Sequence, residues 1–112
     1  MMEGKLVLAR LLQADGQLKP RPALVLRNLR PFGDLLVCGV SSQLRQAVVG
    51  FDEIMATDDA DFAGSGLRVP SLIRLGYLAV LPQNQVIGDV GAIAPERFHR
   101  LLLRLSDFFQ PA

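Results

Sequence analysis

The sequence lacks the residues on which several classes of small protein depend. It has no tryptophan, one cysteine and one histidine in 112 residues. A single cysteine excludes an internal disulfide framework and a zinc ribbon, and a single histidine excludes a histidine-rich metal site. The residues present therefore predict neither a bound metal nor a cofactor.

Long apolar runs are also missing. A typical run, Leu35–Val40, has six residues, whereas a helix that spans a bilayer needs roughly 20. Met1–Lys5 has no apolar core of the kind found in signal peptides. These features predict a cytoplasmic protein without a membrane partner. The mass of 12.2 kDa predicts one domain over residues 1–112, since two would need roughly 100 residues each.

The charges are balanced, with 12 basic and 11 acidic residues. This balance excludes an acidic disordered tail and a polycation, but it leaves room for a local basic patch. Ten of the basic residues are arginines, whose planar guanidinium grips phosphate or carboxylate with two hydrogen bonds. Half of the residues are apolar, so part of the surface is expected to meet another protein.

The pattern predicts a mostly β fold, a small barrel over about residues 4–93 closed by an amphipathic helix over 95–109. The predicted strands are 5–12, 23–26, 35–40, 48–49, 69–75, 77–81 and 85–93, with one helical turn at 51–55 and an acidic loop at 57–66. Pro95 and Glu96 mark the helix start. Phe98, Leu101, Leu102, Leu105, Phe108 and Phe109 form the predicted buried stripe, with Arg97, Arg100 and Arg104 opposite.

Arg21 is the first candidate for a functional residue. It lies between Pro20 and Pro22, and these prolines restrict the backbone, so the guanidinium loses less conformational freedom on binding an anion. Next to a buried strand, such a group can bind or polarise a phosphate. The alternative is a surface arginine in a tight connection.

Ser41, Ser42 and Gln43 are the second candidate. They follow directly on the strand that ends at Val40, where a rigid scaffold can present polar groups. The alternative is a turn in which a serine hydroxyl bonds the nearby backbone. No histidine and carboxylate accompany these serines in the pattern of a hydrolase triad.

The other polar residues suggest ordinary structural roles. His99 is expected on the helix surface, and Cys38 is expected to be an inert core residue. Asp58, Asp59 and Asp61 lack the spacing of a calcium loop, which leaves a solvated acidic loop. The glycines at 64 and 66 do not form a phosphate-binding loop.

The order of several short motifs carries more information than any one of them. They are Gly4–Ala9, the R-P-A-L-V of Arg21–Val25, the V-S-S-Q of Val40–Gln43, the P-S-L-I of Pro70–Ile73, Ile87-Gly88 and Pro95-Glu96. This set resembles the MazF/PemK family of toxins from bacterial toxin–antitoxin modules. The resemblance runs from about Gly4 to Phe109, and R-P-A-L-V is its most specific part.

The resemblance implies an SH3-like barrel with a C-terminal helix, a homodimer and a cognate antitoxin protein as a partner. It also implies cleavage of single-stranded RNA, mostly mRNA, at short sequences without a metal. By position, Arg21 and Ser41 would be catalytic. If the match to the family is shifted by one residue, Ser42 would take the place of Ser41. Lys19, Ser42, Gln43, Arg45 and Arg68 would contact RNA, more firmly if Arg10, Arg21, Arg45, Arg68 and Arg74 cluster.

The sequence leaves two other functions open. CcdB-like toxins share the barrel but bind DNA gyrase through their C-terminal helix, and they have no use for Arg21 and Ser41. A family member without activity would act as a binding module; serine in place of the family's usual threonine and Lys5 in place of its usual acidic residue leave this open. A dimer interface is expected around Leu72–Leu81 and the turn at Asn28–Gly33.

Overall fold

The protein is built around one antiparallel sheet. The computed structural model describes residues 2–112. The sheet has six strands in the order β4-β5-β3-β2-β1-β6. Along the chain they are β1 (Lys5–Leu12), β2 (Leu18–Leu29), β3 (Asp34–Ser41), β4 (Glu53–Met55), β5 (Ser71–Leu81) and β6 (Val86–Ala92). A short helix α1 (Phe62–Ser65) precedes β5, and α2 (Pro95–Phe108) ends the fold. The expectation of a mostly β fold with a C-terminal helix is confirmed.

Both faces of the central strands are buried. One cluster includes Leu24 of β2, Cys38 of β3, Ile73 of β5 and Leu101 of α2. The neighbouring positions Ala23 and Val37, with Val7, Ala9, Leu11, Val25 and Leu35, form a second cluster. Because successive side chains of a strand point to opposite faces, two clusters on alternate positions lie on the two faces of the sheet. Burial on both faces explains why the sequence of β3 is a continuous apolar run.

The predicted bounds of β1 and α2 agree with the structure, whereas the elements predicted between β3 and β5 do not. Val48 and Val49, predicted as a strand, lie in a turn with exposures of 57% and 98%. Residues 51–55, predicted as a helical turn, contain strand β4. The predicted loop at 57–66 contains α1. The two predicted strands at 69–75 and 77–81 are one strand, β5, interrupted by a bulge.

Helix α2 is oriented differently from the prediction at both of its ends. Arg97, expected opposite the buried stripe, has 8% exposure, whereas Phe108 and Phe109, expected inside, have 66% and 64%. Leu101 and Leu105 do face the core. The ion pairs of Arg97 explain its burial.

Arg97 lies in a network of charges that joins α2 to the chain before β5. Its guanidinium reaches Glu53 at 2.8 Å, Asp61 at 2.9 Å and Asp59 at 3.0 Å. Arg100 and Arg104 reach Glu53 at 2.9 and 3.1 Å. The predicted solvated acidic loop is therefore wrong, because two of its three aspartates bind Arg97.

The network shifts the pKa values of its carboxylates. Burial opposes ionisation of Glu53, but the hydrogen bond from Arg100 and the charges of Arg100, Arg104 and Arg97 outweigh it, and the pKa of Glu53 is lowered. The hydrogen bond from Arg97 likewise lowers the pKa of Asp61. Both groups are held ionised. Within residues 2–112, no helix is long and apolar enough to cross a membrane.

Candidate active site

A cavity of about 630 Å³ opens at the start of β2 and the end of β3. It is lined by Leu11, Gln13, Arg21, Pro22, Gly39, Val40, Ser41, Ser42, Gln43, Gly66, Leu67, Arg68, Val69, Ser71, Arg74, Tyr77 and Val90. Three of these residues are arginines and none is an aspartate or glutamate, although the chain has 11 acidic residues. A cavity with this lining favours a negatively charged ligand.

Arg21 reaches the cavity from an extended segment of β2. Its two flanking prolines stay in the β1–β2 ladder, where Pro20 lies opposite Arg10 and Pro22 opposite Leu8. The guanidinium is exposed, and Nη1 donates to the carbonyl of Pro20 at 2.9 Å. This single bond to its own neighbour orients the side chain while leaving its other donors for a ligand.

Ser41 lies close to Arg21 across the β2–β3 ladder. Ala23 pairs with Gly39, so Arg21 and Ser41 each lie two residues beyond that pair, at the same end of adjacent strands. The half-buried Ser41 Oγ accepts a hydrogen bond from the backbone N–H of Gln43 at 3.0 Å. The turn expected as the alternative is therefore present, and it fixes the oxygen while leaving the hydroxyl proton to be donated.

Ser42 and Gln43 continue the cavity wall beyond the end of β3. Both are exposed, and a single turn of 3₁₀ helix, Leu44–Gln46, begins immediately after them. Ser41 is thus the better oriented of the two candidate serines, whereas Ser42 is the more accessible.

Arg68 lines the cavity from the loop between α1 and β5. Gly66 ends α1 with φ of 73°, which a residue with a side chain rarely adopts. A Cβ at Gly66 would also collide with the carbonyl of Val90 in β6. This glycine therefore fixes the path of the segment that carries Arg68.

Arg74 and Tyr77 also line the cavity. From the sequence, Arg74 is only one of five arginines that could cluster, and Tyr77 is not predicted as a site residue. Arg74 is half-buried on β5 opposite Gly39. Among the described residues it has no ion-pair partner within 4.0 Å. The sequence does contain a feature that indicates a role for Arg74, because it is the one charged residue within the otherwise largely apolar stretch 71–75.

Two of the expected RNA contacts lie outside the cavity lining. Lys19 is paired with Asp15 at 3.5 Å in the β1–β2 hairpin, and Arg45 is exposed on the 3₁₀ turn. Of the five arginines whose clustering was in question, Arg21, Arg68 and Arg74 meet at the cavity, while Arg10 and Arg45 do not line it.

The remaining polar candidates match their structural interpretations. Burial raises the pKa of Cys38 to about 12, so its thiol is protonated at neutral pH and unreactive. His99 is exposed on α2. Within residues 2–112, no three side chains of histidine, cysteine, aspartate or glutamate are grouped as metal ligands would be.

The fold and the cavity define a small, mostly β protein with an arginine-lined cavity at its strand ends. The sequence profile of the PemK-like, MazF-like toxins of type II toxin–antitoxin systems matches residues 2–109. The chain belongs to this family.

One solved structure is similar over nearly its full length. The Mycobacterium tuberculosis toxin MazF-mt6 superimposes with a TM-score of 0.69 at 17% sequence identity, covering 94% of this chain and 95% of that one. At this identity the likeness establishes the fold. No curated protein matches the sequence.

Proposed function

We propose that this toxin is a sequence-specific endoribonuclease that cleaves single-stranded RNA, principally mRNA, in the cytoplasm. The observation that carries the proposal is the cavity, which is lined by Ser41 and three arginines, among them the proline-flanked Arg21, and by no carboxylate. Arginine suits a phosphodiester because its planar fork matches the geometry of the phosphate oxygens. Membership of the toxin family supports the same function.

The reaction needs no nucleophile from the protein. The 2′-oxygen of the RNA attacks the adjacent phosphorus, and the bond from phosphorus to the 5′-oxygen breaks. The 2′-hydroxyl loses its proton to water, and the departing 5′-oxygen takes a proton from water, so no proton is gained or lost overall. The products are a 2′,3′-cyclic phosphate and a 5′-hydroxyl. Such a route fits a cavity that is lined by neither histidine nor carboxylate.

The contribution of the protein is to stabilise charge on the phosphate in the transition state. A guanidinium stays protonated in proteins, so Arg21 acts as a cation and donor and not as a base. One lost donor at a comparable oxyanion site costs roughly 3–4 kcal/mol of transition-state stabilisation. Ser41 donates its hydroxyl proton to a phosphate oxygen, and Arg74 supplies a second positive charge from β5.

The proposal includes two protein partners. One is a second copy of the chain, and the other is an antitoxin protein that covers the cavity and blocks RNA. Lys19 and Arg45, which lie outside the cavity lining, then serve as contacts for RNA phosphates beyond the cleaved bond.

Arg21→Ala tests the proposal directly. We expect cleavage of a single-stranded transcript to slow by about 100- to 1,000-fold, with an unchanged unfolding midpoint because Arg21 is exposed. EDTA should leave wild-type cleavage intact, since the nucleophile belongs to the RNA.

Arg27→Ala is the matched control. Arg27 is also on β2, its side chain is 60% exposed, and it lies outside the cavity lining. Removing it should change the rate by less than about twofold. Near-wild-type cleavage by Arg21→Ala would contradict the assigned role. Loss of cleavage in EDTA that magnesium restores would contradict the mechanism.

A further inference from the structure

Tyr77 lies on a bulge of β5 beside the candidate site. Cys38 of β3 pairs with Leu78 and Gly39 pairs with Arg74, so the three residues Leu75–Tyr77 of β5 have no partner in β3. The carboxylate of Asp52 accepts the backbone N–H of Leu75 at 3.0 Å, which satisfies a donor inside the bulge. Bulges next to functional sites redirect a side chain, and here the side chain that reaches the cavity is Tyr77.

The ring of Tyr77 lies directly on the backbone of β3. A Cβ at Gly39 would lie only 3.2 Å from Cδ1 of Tyr77, so glycine allows this close approach. The tyrosine is half-buried and packs against the second apolar cluster, yet it lines the cavity. One side of the ring is therefore supported while another faces the ligand space.

The hydroxyl of Tyr77 ties the β1–β2 hairpin to β5. It donates to the carbonyl of Leu12, the last residue of β1, at 2.7 Å. The next residue, Gln13, lines the cavity and donates from Nε2 to the carbonyl of Leu11 at 2.9 Å. The backbone N–H of Gln13 donates to the carbonyl of Gln17 at 2.8 Å. The bond from Tyr77 thus fixes the end of β1 next to Gln13.

We propose, building on the proposed ribonuclease function, that Tyr77 positions the nucleobase beside the cleaved phosphate so that Gln13 selects it. Its ring stacks on the base, and its hydroxyl holds the hairpin so that the base lies between Tyr77 and Gln13. Aromatic stacking is a general way to bind single-stranded nucleic acid, and the amide of Gln13 has both a donor and an acceptor for base edges. Tyr77 is thus a positioning and specificity residue, with Arg21 and Ser41 acting on the phosphate.

Stacking of a base on Tyr77 can be measured directly by tyrosine fluorescence. Tyr77 is the only tyrosine and the chain has no tryptophan, so tyrosine fluorescence arises from this side chain alone. Titration of the wild-type protein with short single-stranded 2′-O-methyl oligoribonucleotides, which lack the nucleophile, should quench this fluorescence in proportion to occupancy. A double-stranded oligonucleotide of the same sequence should not, because its bases are already stacked.

Two substitutions distinguish the role of the Tyr77 hydroxyl from that of its ring. Tyr77→Phe keeps the ring and removes the tie: we expect KM to rise about 3- to 10-fold, kcat to stay within about twofold, and the base preference at one position of the cut sequence to relax. Tyr77→Leu should raise KM by a further factor of about 10 to 100. Hydrogen exchange of the amides at 13–17 should be faster in Tyr77→Phe. A purely structural tyrosine would alter stability without changing the cut sequence.

The outcomes distinguish this inference from the proposed function. If wild-type protein cuts RNA but Tyr77→Phe keeps the same KM and cut sequences and no fluorescence is quenched, the role of Tyr77 is overturned and the ribonuclease function stands. If wild-type protein does not cut but its fluorescence is quenched, the ribonuclease function is overturned and nucleic-acid contact by Tyr77 stands. If it neither cuts nor is quenched, both are overturned.

Discussion

The arginines of α2 and those of the cavity have two distinct environments. Arg97, Arg100 and Arg104 reach carboxylates within 3.1 Å. Arg21 and Arg74 line the cavity, and among residues 2–112 neither has a carboxylate within 4.0 Å. A cation that is already paired stabilises the fold, whereas one held without a partner next to a cavity is available to an anionic ligand. Pairing with carboxylates therefore distinguishes the arginines of α2 from those that line the cavity.

Substitution of Ser41 and Ser42 one at a time tests which of the two serines contacts the phosphate. We expect Ser41→Ala to lower kcat/KM by about 10- to 100-fold, because the lost hydrogen bond is to a charged phosphate oxygen. Ser42→Ala should cost less than about threefold. Single-turnover cleavage of one transcript by both variants is the measurement. A larger loss in Ser42→Ala would move the catalytic role by one residue.

The candidate site residues were predictable only where the sequence departs from a simple pattern. Arg21 stands out because prolines flank it, and Ser41 and Ser42 because they end an apolar run. Tyr77 could not be found this way, because its position depends on a bulge created by pairing with β3 and on a bond to Leu12, 65 residues away. Such contacts form only in the folded chain.

At the scale of elements, the charge network fixes α2 against β4. Arg97 joins Glu53 of β4 to Asp59 and Asp61 before α1, and Asp61 also accepts the backbone N–H of Ala94 at the start of α2. Glu53–Met55 is a strand because it pairs with residues 71–73 of β5. The local pattern suggested a helical turn because it does not contain this non-local contact. Local apolar spacing did predict β1 and α2, since their core contacts follow their own periodicity.

Arg97→Met should lower the free energy of unfolding by about 3–5 kcal/mol, because it leaves buried carboxylates without their cation. Urea unfolding followed by circular dichroism measures the change. Arg10→Met, at an exposed position of β1, is the control and should change stability by less than about 0.5 kcal/mol. Equal stability of the two variants would show that the network does not hold α2.

The same network predicts loss of stability in acid. The pKa values of Glu53 and Asp61 in the folded protein lie below their ordinary values of 4.5 and 3.8. Their contribution is therefore complete above those values and is lost as the pH falls through the lower folded-state values. We expect the urea midpoint to fall as the pH drops below about 5. The fall should be shallower in Arg97→Met, which lacks the cation, and equal slopes would contradict this origin.

At the scale of the whole molecule, the chain exposes more surface than its size requires. Its accessible area is 6848 Å², whereas a monomer of this mass is expected to expose roughly 6,100 Å². The difference, about 750 Å², is close to the roughly 800 Å² that each partner buries in an interface of standard size. Part of this surface is apolar, including Phe32 at 90% exposure and Val80 at 56%.

The structure reduces the set of residues that could form the dimer interface predicted from the sequence. Leu72, Ile73 and Leu75 are at most 1% exposed, so they belong to the core of the chain and cannot meet a partner. The later part of β5 remains available: Val80 lies opposite Leu36 in the β3–β5 register, and Phe32 lies in the turn between β2 and β3.

We expect the protein to be a homodimer at micromolar concentration, with twice the chain mass of 12.2 kDa. Val80→Asp should shift it toward monomer, because a charge at the centre of an apolar interface must lose its water without gaining a partner. Val49→Asp is the matched control, since Val49 is 98% exposed in the turn before β4. Sedimentation equilibrium at several concentrations measures both, and circular dichroism establishes that each variant is folded. A wild-type monomer that still cleaves RNA would show that one chain is the active unit, whereas a dimer insensitive to Val80→Asp would place the interface elsewhere.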